Sequence, residues 1–455
     1  QQARMVPDSC SVSTPCNERT VGLSNIVSSD CSAVQPCSRR PMIIPNLPPS
    51  TLLIFLSLGI FCFAVYALAF PELFRDVIFH GTSSTGNDET LSCDYSKGKW
   101  IRDPTPPLYS EECRMVPICE RCISNGRPDT DYIHWRWKPE RCSLPRFAPE
   151  TFLRQLANKH IAFVGDSLAR NQMESLLCML SGASSPENSD RSDISPSFDS
   201  WLFASHNATA SLLWSPFLVK RVETPNSGVT DVYLDKADEN WATALASFDV
   251  LVLMAGRWFY TPCIFYEGED SIVGCHYCSG VNYTEVGSHD AYRRILQTTL
   301  GAIESRTRAD RKLQVILLTF PPSHYELEVI FSFYFRSHGR RDDQDHYCPI
   351  RRPFEEGEYD VDSMDKMMRQ ILIEKVEEMR SHPKNSNITV ELLDVTYLSA
   401  MRPDGHPGPY QIPTPFANGK IDGSGDCLHW CLPGVVDTWN EILAELVTRS
   451  QDKFL

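Results

Sequence analysis

Basic residues are too scarce in this sequence for a general nucleic-acid-binding protein. Among its 455 residues, 43 are lysine or arginine and 58 are aspartate or glutamate, which gives a net charge of -15. Binding to a DNA or RNA backbone needs a basic face, so this balance argues against that class. A convincing internal repeat is also missing. The hydrophobic share of 42% is ordinary for a globular protein.

One charge-free apolar run stands out near the beginning of the sequence. Leu52 to Phe70 reads LLIFLSLGIFCFAVYALAF, which is long enough to span a bilayer. Arg39 and Arg40 precede it and place its N-terminal side in the cytoplasm. A signal peptide would have a shorter apolar region and a small-residue cleavage site. A buried core helix is the other alternative. We expect a single-pass type II membrane protein whose body is lumenal.

The cysteines and the glycosylation sequons agree with a lumenal body. Twelve of the 17 cysteines follow the apolar run, and an oxidising compartment would convert many of them into disulfides. Three Asn-X-Thr sequons also follow it, at Asn207, Asn282 and Asn387. Together these features predict passage through the secretory pathway.

Changes in composition divide the sequence into five segments. They are a disordered cytoplasmic tail (1–50), a transmembrane signal-anchor (51–70), a stem (71–92), a Cys- and Trp-rich irregular subdomain (93–147) and a larger domain (148–455). In the last segment short buried strands alternate with helices, the first helix being PETFLRQLANKH. This alternation predicts a parallel α/β sheet with helices on both faces. Ligands of such sheets bind beyond the carboxyl ends of the strands.

Ser167 lies just past one such strand end, in the stretch IAFVGDSLARNQMESLLCML. Serine before a helix is ordinarily a cap that accepts backbone N–H bonds. A serine at a strand-to-helix turn is alternatively a nucleophile, provided that a base and an orienting group are within reach. The two roles are distinguished by whether the rest of the sequence contains a base and an orienting group for Ser167.

A matching acid–base pair occurs near the C-terminus, in GSGDCLHWCLPG. Asp426 and His429 are three positions apart, so the carboxylate can orient the imidazole and leave its other nitrogen for Ser167. An acidic cap and a surface histidine are the ordinary alternative. The flanking Cys427 and Cys431 indicate a pinned loop, which suits a site that needs tight geometry.

Two other clusters contain residue types that could form a functional site. Asp404 and His406, in RPDGHPG, form a rival pair, but the surrounding proline and glycine favour a rigid turn. In GCHYC, Cys275 and Cys278 have zinc-like spacing around His276. A closed zinc site needs four ligands and no second CxxC is present, so a disulfide or free thiols are favoured and no metal is expected.

The motifs together resemble a known family. The stretch from Cys93 to Phe147, with VGDSLARNQMESLLC, RPDGHPG and DCLHWCLPG, is similar to the plant trichome-birefringence-like family of polysaccharide O-acetyltransferases, within the GDSL/SGNH hydrolase-like superfamily. The resemblance covers essentially everything after the stem. It implies an SGNH-hydrolase-like sheet flanked by helices, a Golgi location with a lumenal catalytic domain, and a hemicellulose acceptor such as xyloglucan, mannan or xylan.

The resemblance also implies a mechanism. Ser167 would attack an acetyl donor with His429 as base and Asp426 as its orienting group, and the acetyl-serine would then pass the acetyl group to a sugar hydroxyl. The oxyanion would be stabilised by the backbone N–H of Ser167, by Gly256 and by Arg170. No bound cofactor is expected. The acetyl donor, for example one derived from acetyl-CoA, is a co-substrate.

The disulfide pairs are likewise taken from the resemblance. They are Cys93–Cys142, Cys113–Cys178, Cys122–Cys431 and Cys348–Cys427. One region departs from the family pattern: residues 327–347 include the apolar stretch VIFSFYF where the family is rich in tryptophan and glycine. An acetylesterase with the same triad and a non-catalytic glycan-binding protein are the alternative functions.

Overall fold

The computed structural model describes most of the chain after residue 92. The described residues are 93–189, 198–223, 228–277, 283–325, 348, 352–355, 357–381, 383, 385–416 and 425–452. The predicted tail, membrane span and stem lie outside them, as do residues 327–347. Among the described helices, none is both long and apolar enough to cross a bilayer.

The described residues form strands and helices in alternation. The strands are β1 (Gly98–Arg102), β2 (Trp135–Pro139), β3 (His160–Gly165), β4 (Glu187–Asn188), β5 (Phe198–Phe203), β6 (Ala208–Trp214), β7 (Val219–Glu223), β8 (Thr230–Ala237), β9 (Val250–Met254), β10 (Cys263–Glu267), β11 (Ser271–His276), β12 (Leu313–Leu318) and β13 (Ile388–Leu393). The α-helices are α1 (Pro149–Gln155), α2 (Ser167–Ser181), α3 (Glu239–Ala242), α4 (Ser288–Arg306), α5 (Ser363–Ser381), α6 (Thr396–Ala400) and α7 (Val435–Asp452).

The main sheet has the described strand order β13-β12-β9-β3-β6-β5-β4. Neighbours from β13 to β6 pair in parallel, whereas β5 and β4 are antiparallel. The predicted parallel sheet is therefore confirmed for its central strands, and two antiparallel strands extend it at one edge. Strand β3 is buried along its whole length, as its continuous apolar sequence requires between two layers.

The strand order locates a switch point at the centre of the sheet. The chain passes from β3 to β6 on one side and later builds β9, β12 and β13 on the other. Ligands of open α/β sheets bind at such a reversal, here beyond the ends of β3 and β9. The two strands approach closely there, because a Cβ on Gly165 would lie only 2.0 Å from the carbonyl oxygen of Met254. Only glycine fits at this position.

Helices cover both faces of the main sheet, as predicted. On one face α1, α2 and α7 bury Phe152, Leu176 and Trp439 in one apolar core. On the other face α4 and α5 bury Ile295 and Ile371 in a second core. Each helix places apolar residues on the side that faces the sheet, which is the usual arrangement of a three-layer α/β domain.

Two features differ from the sequence-based prediction. Helix α1 ends at Gln155 and does not continue to His160, because Asn158 has a left-handed backbone with a φ of 60° and His160 already begins β3. A second sheet of order β11-β10-β8-β7 was not predicted. Its strands are short and polar on their outer face, although TDVYLDKA in β8 alternates clearly enough to have indicated a strand.

The Cys- and Trp-rich segment contains a small antiparallel pair, β1 and β2, inside otherwise irregular structure. Trp137 is only 1% exposed and its indole N–H donates to the carbonyl of Tyr95, so this tryptophan belongs to the core. All four expected disulfides are present: Cys93–Cys142, Cys113–Cys178, Cys122–Cys431 and Cys348–Cys427.

Candidate active site

Asp166, not Ser167, caps helix α2. The Asp166 carboxylate accepts the backbone N–H of Leu168 at 3.0 Å, and Asp166 has the extended backbone of an N-cap. Ser167 is the first residue of the helix. Its hydroxyl is therefore not used in capping and is available for other chemistry.

Ser167, His429 and Asp426 form one hydrogen-bonded line. The Ser167 hydroxyl lies 2.7 Å from Nε2 of His429, and Nδ1 of the same imidazole lies 2.7 Å from Oδ2 of Asp426. The other carboxylate oxygen of Asp426 accepts the backbone N–H groups of Leu428 and His429, at 2.9 and 3.0 Å. The predicted geometry is confirmed, over a separation of 262 positions between serine and histidine. The arrangement allows the serine proton to move to the imidazole.

Electrostatics within the pair strengthen this arrangement. Burial alone would raise the pKa of Asp426, but the charge of His429 and the hydrogen bonds from the loop outweigh it and hold that pKa well below its usual range. Burial alone would lower the pKa of His429, and Asp426 outweighs it, so the imidazole pKa is raised above 6.5. The carboxylate therefore stays ionised and favours the imidazolium that forms when His429 accepts a proton.

The loop that carries His429 is anchored on several sides. Cys431 is bonded to Cys122 of the N-terminal subdomain. Asn171 of α2 exchanges two hydrogen bonds with the backbone of Trp430, at 3.2 and 3.0 Å. The predicted pinned loop is thus present, and the helix that begins with Ser167 also holds the loop that supplies its base.

Both ring nitrogens of His406 contact groups other than Ser167. Its Nδ1 lies 2.7 Å from the backbone oxygen of His429, and its Nε2 lies 2.7 Å from Nδ1 of His324. The ring stacks on Trp430 with centroids 4.0 Å apart. Asp404 pairs with the buried guanidinium of Arg402 and takes no part in the triad. Sequence reasoning missed the role of His406 and His324 as supports, since no spacing relates two histidines of separate loops.

Two of the three predicted oxyanion donors follow strand ends: Ser167 lies two residues after β3, and Gly256 lies two residues after β9. Among the described residues, the backbone N–H groups of Ser167 and Gly256 donate no hydrogen bond, so both remain available. A Cβ on Gly256 would lie 2.4 Å from the ring of Phe320. Arg170 has its Nε 3.7 Å from Oε1 of Glu174. The assignment of these groups to an oxyanion stays a prediction.

Two half-buried tryptophans lie beside the same strand ends. Trp214 is the register partner of Gly165 at the end of β6, and Trp258 follows Gly256 by two positions. Their rings meet edge to face with centroids 6.1 Å apart, and the Arg221 guanidinium lies 5.8 Å from the Trp258 centroid. Amphipathic aromatic rings of this kind suit contact with a sugar. Sequence reasoning did not single out either residue.

The remaining predicted sites are not part of this cluster. Asn207 is exposed, whereas the side-chain nitrogen of Asn387 donates to the carbonyl of Ala309 at 2.7 Å. Asn282 lies outside the described residues. His276 bonds to Glu285 and Ser288, at 2.7 and 2.6 Å. Within the described part of the chain, no group of three His, Cys, Asp or Glu residues is placed to hold a metal ion.

Comparison with known families identifies the class to which this site belongs. Residues 144–446 match PC-Esterase, the GDSL/SGNH-like acyl-esterase family found in Pmr5 and Cas1p. Residues 91–143 match the PMR5 N-terminal domain.

Several relatives are similar over most of their length. Xyloglucan O-acetyltransferase 1 of Populus trichocarpa is 44% identical over 415 residues, which cover 89% of this chain and 94% of that protein. Xyloglucan O-acetyltransferase 1 of Arabidopsis thaliana is 44% identical over 367 residues, 80% of this chain and 82% of that protein. Protein trichome birefringence-like 26 of Arabidopsis thaliana is 40% identical over 373 residues, which cover 80% of this chain and 79% of that protein. The chain belongs to the PC-Esterase family and, within it, to the trichome birefringence-like polysaccharide O-acetyltransferases.

Proposed function

We propose that the protein transfers acetyl groups to hydroxyls of xyloglucan through an acetyl-Ser167 intermediate. The continuous hydrogen-bonded line from Ser167 through His429 to Asp426 is the observation that carries this proposal. The names of the similar O-acetyltransferases support xyloglucan as the acceptor over mannan and xylan.

In the first half-reaction His429 takes the proton of Ser167 as the serine oxygen attacks the carbonyl carbon of the acetyl donor. The tetrahedral oxyanion receives hydrogen bonds from the free N–H groups of Ser167 and Gly256 and from Arg170. The imidazolium then gives its proton to the leaving group, and the bond between the acetyl group and the donor breaks. The acetyl group is left as an ester on Ser167.

In the second half-reaction a sugar hydroxyl takes the place of the leaving group. His429 accepts the hydroxyl proton as the sugar oxygen attacks the acetyl-serine, and the same proton is returned to Ser167 when the ester bond breaks. Trp214 and Trp258 flank the strand ends and supply the aromatic contact surface for the acceptor. If water replaced the sugar hydroxyl, the same residues would act as an acetylesterase.

We further propose that the reaction takes place in the Golgi lumen. The charge-free run at 52–70 supports a type II anchor, and the disulfides between described cysteines support an oxidising compartment. An acetyl donor derived from acetyl-CoA would enter the site as co-substrate.

Transfer and hydrolysis are separated by product analysis. The full-length protein is incubated with an acetyl donor and with xyloglucan, mannan and xylan oligosaccharides in parallel, and product masses are followed over time. We expect one added acetyl group per step on xyloglucan oligosaccharides in preference to the others. Release of free acetate at the same rate with and without oligosaccharide would instead establish an esterase. No acetyl-enzyme and no turnover would favour a glycan-binding protein.

A further inference from the structure

A partly buried polar cluster lies beside the triad, and the reaction above does not explain it. Arg170 is on the same face of α2 as Ser167, one turn further along. Glu174 follows one turn after Arg170, with 3.7 Å between Arg170 Nε and Glu174 Oε1. Glu120 comes from the N-terminal subdomain, is only 1% exposed, and accepts the backbone N–H of Leu432 through its own carbonyl.

Among the described residues, three of the four carboxyl oxygens of Glu120 and Glu174 lack a hydrogen-bond donor if both glutamates are ionised. Both oxygens of Glu120 and Oε2 of Glu174 are buried, and in the described part of the chain none of them has a donor partner. Each carboxyl group is nevertheless a hydrogen-bonding neighbour of the other, and this interaction contributes to the pKa of both. Because an ionised carboxylate only accepts, the pair can form this bond only when one member carries a proton.

Burial and mutual repulsion favour such a proton. Burial, followed by the charge of Glu174, raises the pKa of Glu120 well above its usual range. Burial raises the pKa of Glu174 to about 7, against the opposing charge of Arg170. The charged or titratable groups that interact electrostatically with the pair are Arg170, Asp199, Asp426, His429 and Tyr109. Arg170 is the permanent cation among them. With one shared proton the two glutamates have a single negative charge, which the guanidinium neutralises.

We propose that Glu120 and Glu174 share one proton and, as a pair, position the Arg170 guanidinium beside Ser167. This inference rests on the proposed oxyanion role of Arg170. The two glutamates contact neither acetyl group nor sugar, so both are positioning residues. Glu120 also connects the disulfide-rich subdomain to the segment after His429, through the hydrogen bond from Leu432.

Loss of the shared proton changes the force on Arg170. Two ionised carboxylates in a buried site attract the guanidinium more strongly and repel each other, so Arg170 is drawn towards the pair and away from the oxyanion. The rate of acetyl-enzyme formation therefore falls at high pH. Glutamine has the shape and the donor of a protonated glutamate, so Glu120→Gln preserves the bond to Glu174 at every pH.

The test measures acetyl-serine formation from a chromogenic acetyl ester, as a burst in the absence of glycan. The wild type is expected to lose activity above the pKa of the pair. Glu120→Gln should keep the neutral-pH rate and move the alkaline limb upward by at least one pH unit. Glu120→Ala should lower the rate about tenfold or more at all pH values, because a single oxyanion donor contributes about 100-fold or more when correctly placed.

Glu111→Gln is the matched control, since Glu111 is a buried glutamate of the same subdomain that accepts the N–H groups of Ile123 and Ser124. It should leave the alkaline limb in place. Infrared spectroscopy provides a readout without turnover: the carboxylic-acid C=O absorption at pH 7 should be the same in the wild type and in Ser167→Ala and weaker in Glu120→Gln, because other buried carboxyl groups with a raised pKa, such as Asp365 and Glu441, also absorb there. An unchanged alkaline limb in Glu120→Gln, or an unchanged infrared band, overturns the inference. A normal burst in Ser167→Ala would instead overturn the proposed function.

Discussion

The imidazole of His406 donates from Nδ1 to the backbone carbonyl of His429, with 2.7 Å between the two atoms. His406 is in turn 2.7 Å from His324, whose Nε2 donates to the carbonyl of Ala400 at 2.8 Å. The catalytic loop therefore rests on two buried histidines from separate parts of the fold, and their substitution has defined consequences.

His406→Phe should keep the stacking on Trp430 but lose the hydrogen bond to the carbonyl of His429 and the contact with His324. A buried carbonyl left without a donor costs about 1–3 kcal/mol, so the free energy of unfolding should fall by that amount. A small displacement of His429 should lower kcat about tenfold to a hundredfold. Denaturant titration and steady-state kinetics measure the two effects. His206→Phe, in a surface turn, is the control. A fully active His406→Phe enzyme would show that the loop needs no such support.

Ser167→Ala should remove transfer while the fold stays intact. By analogy with other serine triads, kcat should fall about a millionfold. Mass spectrometry of the protein after incubation with donor should show no acetyl adduct. Ser181→Ala, at the other end of helix α2, is the control and should keep normal activity. An acetylated product at a comparable rate from Ser167→Ala would refute the assignment of the nucleophile.

Asp426→Asn should change the pH dependence as well as the rate. Asp426 raises the pKa of His429, and His429 acts as base only when neutral, so the wild-type kcat/KM should rise with pH through a pKa above 6.5. Without the carboxylate that pKa falls, and the acid limb should move to lower pH while kcat drops about ten-thousandfold. A profile of kcat/KM against pH tests both. An acid limb that does not move would mean that another group controls it.

The same two residues contribute to the pH dependence of stability. The pKa of Asp426 is held below its unfolded value, so its contribution is complete above about pH 4 and is lost as pH falls further. The pKa of His429 is raised, so its contribution is complete below about pH 6.5 and is lost as pH rises through the folded value. Thermal unfolding of Ser167→Ala between pH 3 and 9 should show both losses, and Asp426→Asn should show neither.

Removing the Cys122–Cys431 disulfide should affect stability and catalysis together. A double Cys→Ala variant should lose about 2–5 kcal/mol of unfolding free energy and, because Cys431 follows His429 by two residues, should also have a lower kcat. Removing Cys93–Cys142, which is remote from the catalytic loop in sequence, should cost stability with kcat unchanged. Equal loss of kcat in both variants would contradict a local role for Cys122–Cys431.

The sequence supported the parts of the site that occur as local motifs. Ser167 follows a buried strand, and Asp426 and His429 are three residues apart between cysteines, so each half of the triad is visible in a short stretch. The contributions of Glu120, His324 and Trp214 depend on chain segments that meet only after folding, and no local spacing marks them. The second sheet was missed because its pairings are not marked by local spacing: β8 pairs in parallel with β10, and its antiparallel pairing with β7 contains a register shift.

The long separation between the serine and its base also bears on how the enzyme is made. Cys431 leaves the ribosome 309 residues after Cys122, and His429 follows Ser167 by 262 residues. At a synthesis rate of roughly 5–20 residues per second, Ser167 is present for roughly 13–52 s before its base exists. A nascent chain therefore has an unactivated hydroxyl and an unpaired Cys122 thiol. Under the proposed mechanism, acetyl transfer can begin only after the segment that contains His429 has docked, so a chain that is still being synthesised should have no acetyltransferase activity.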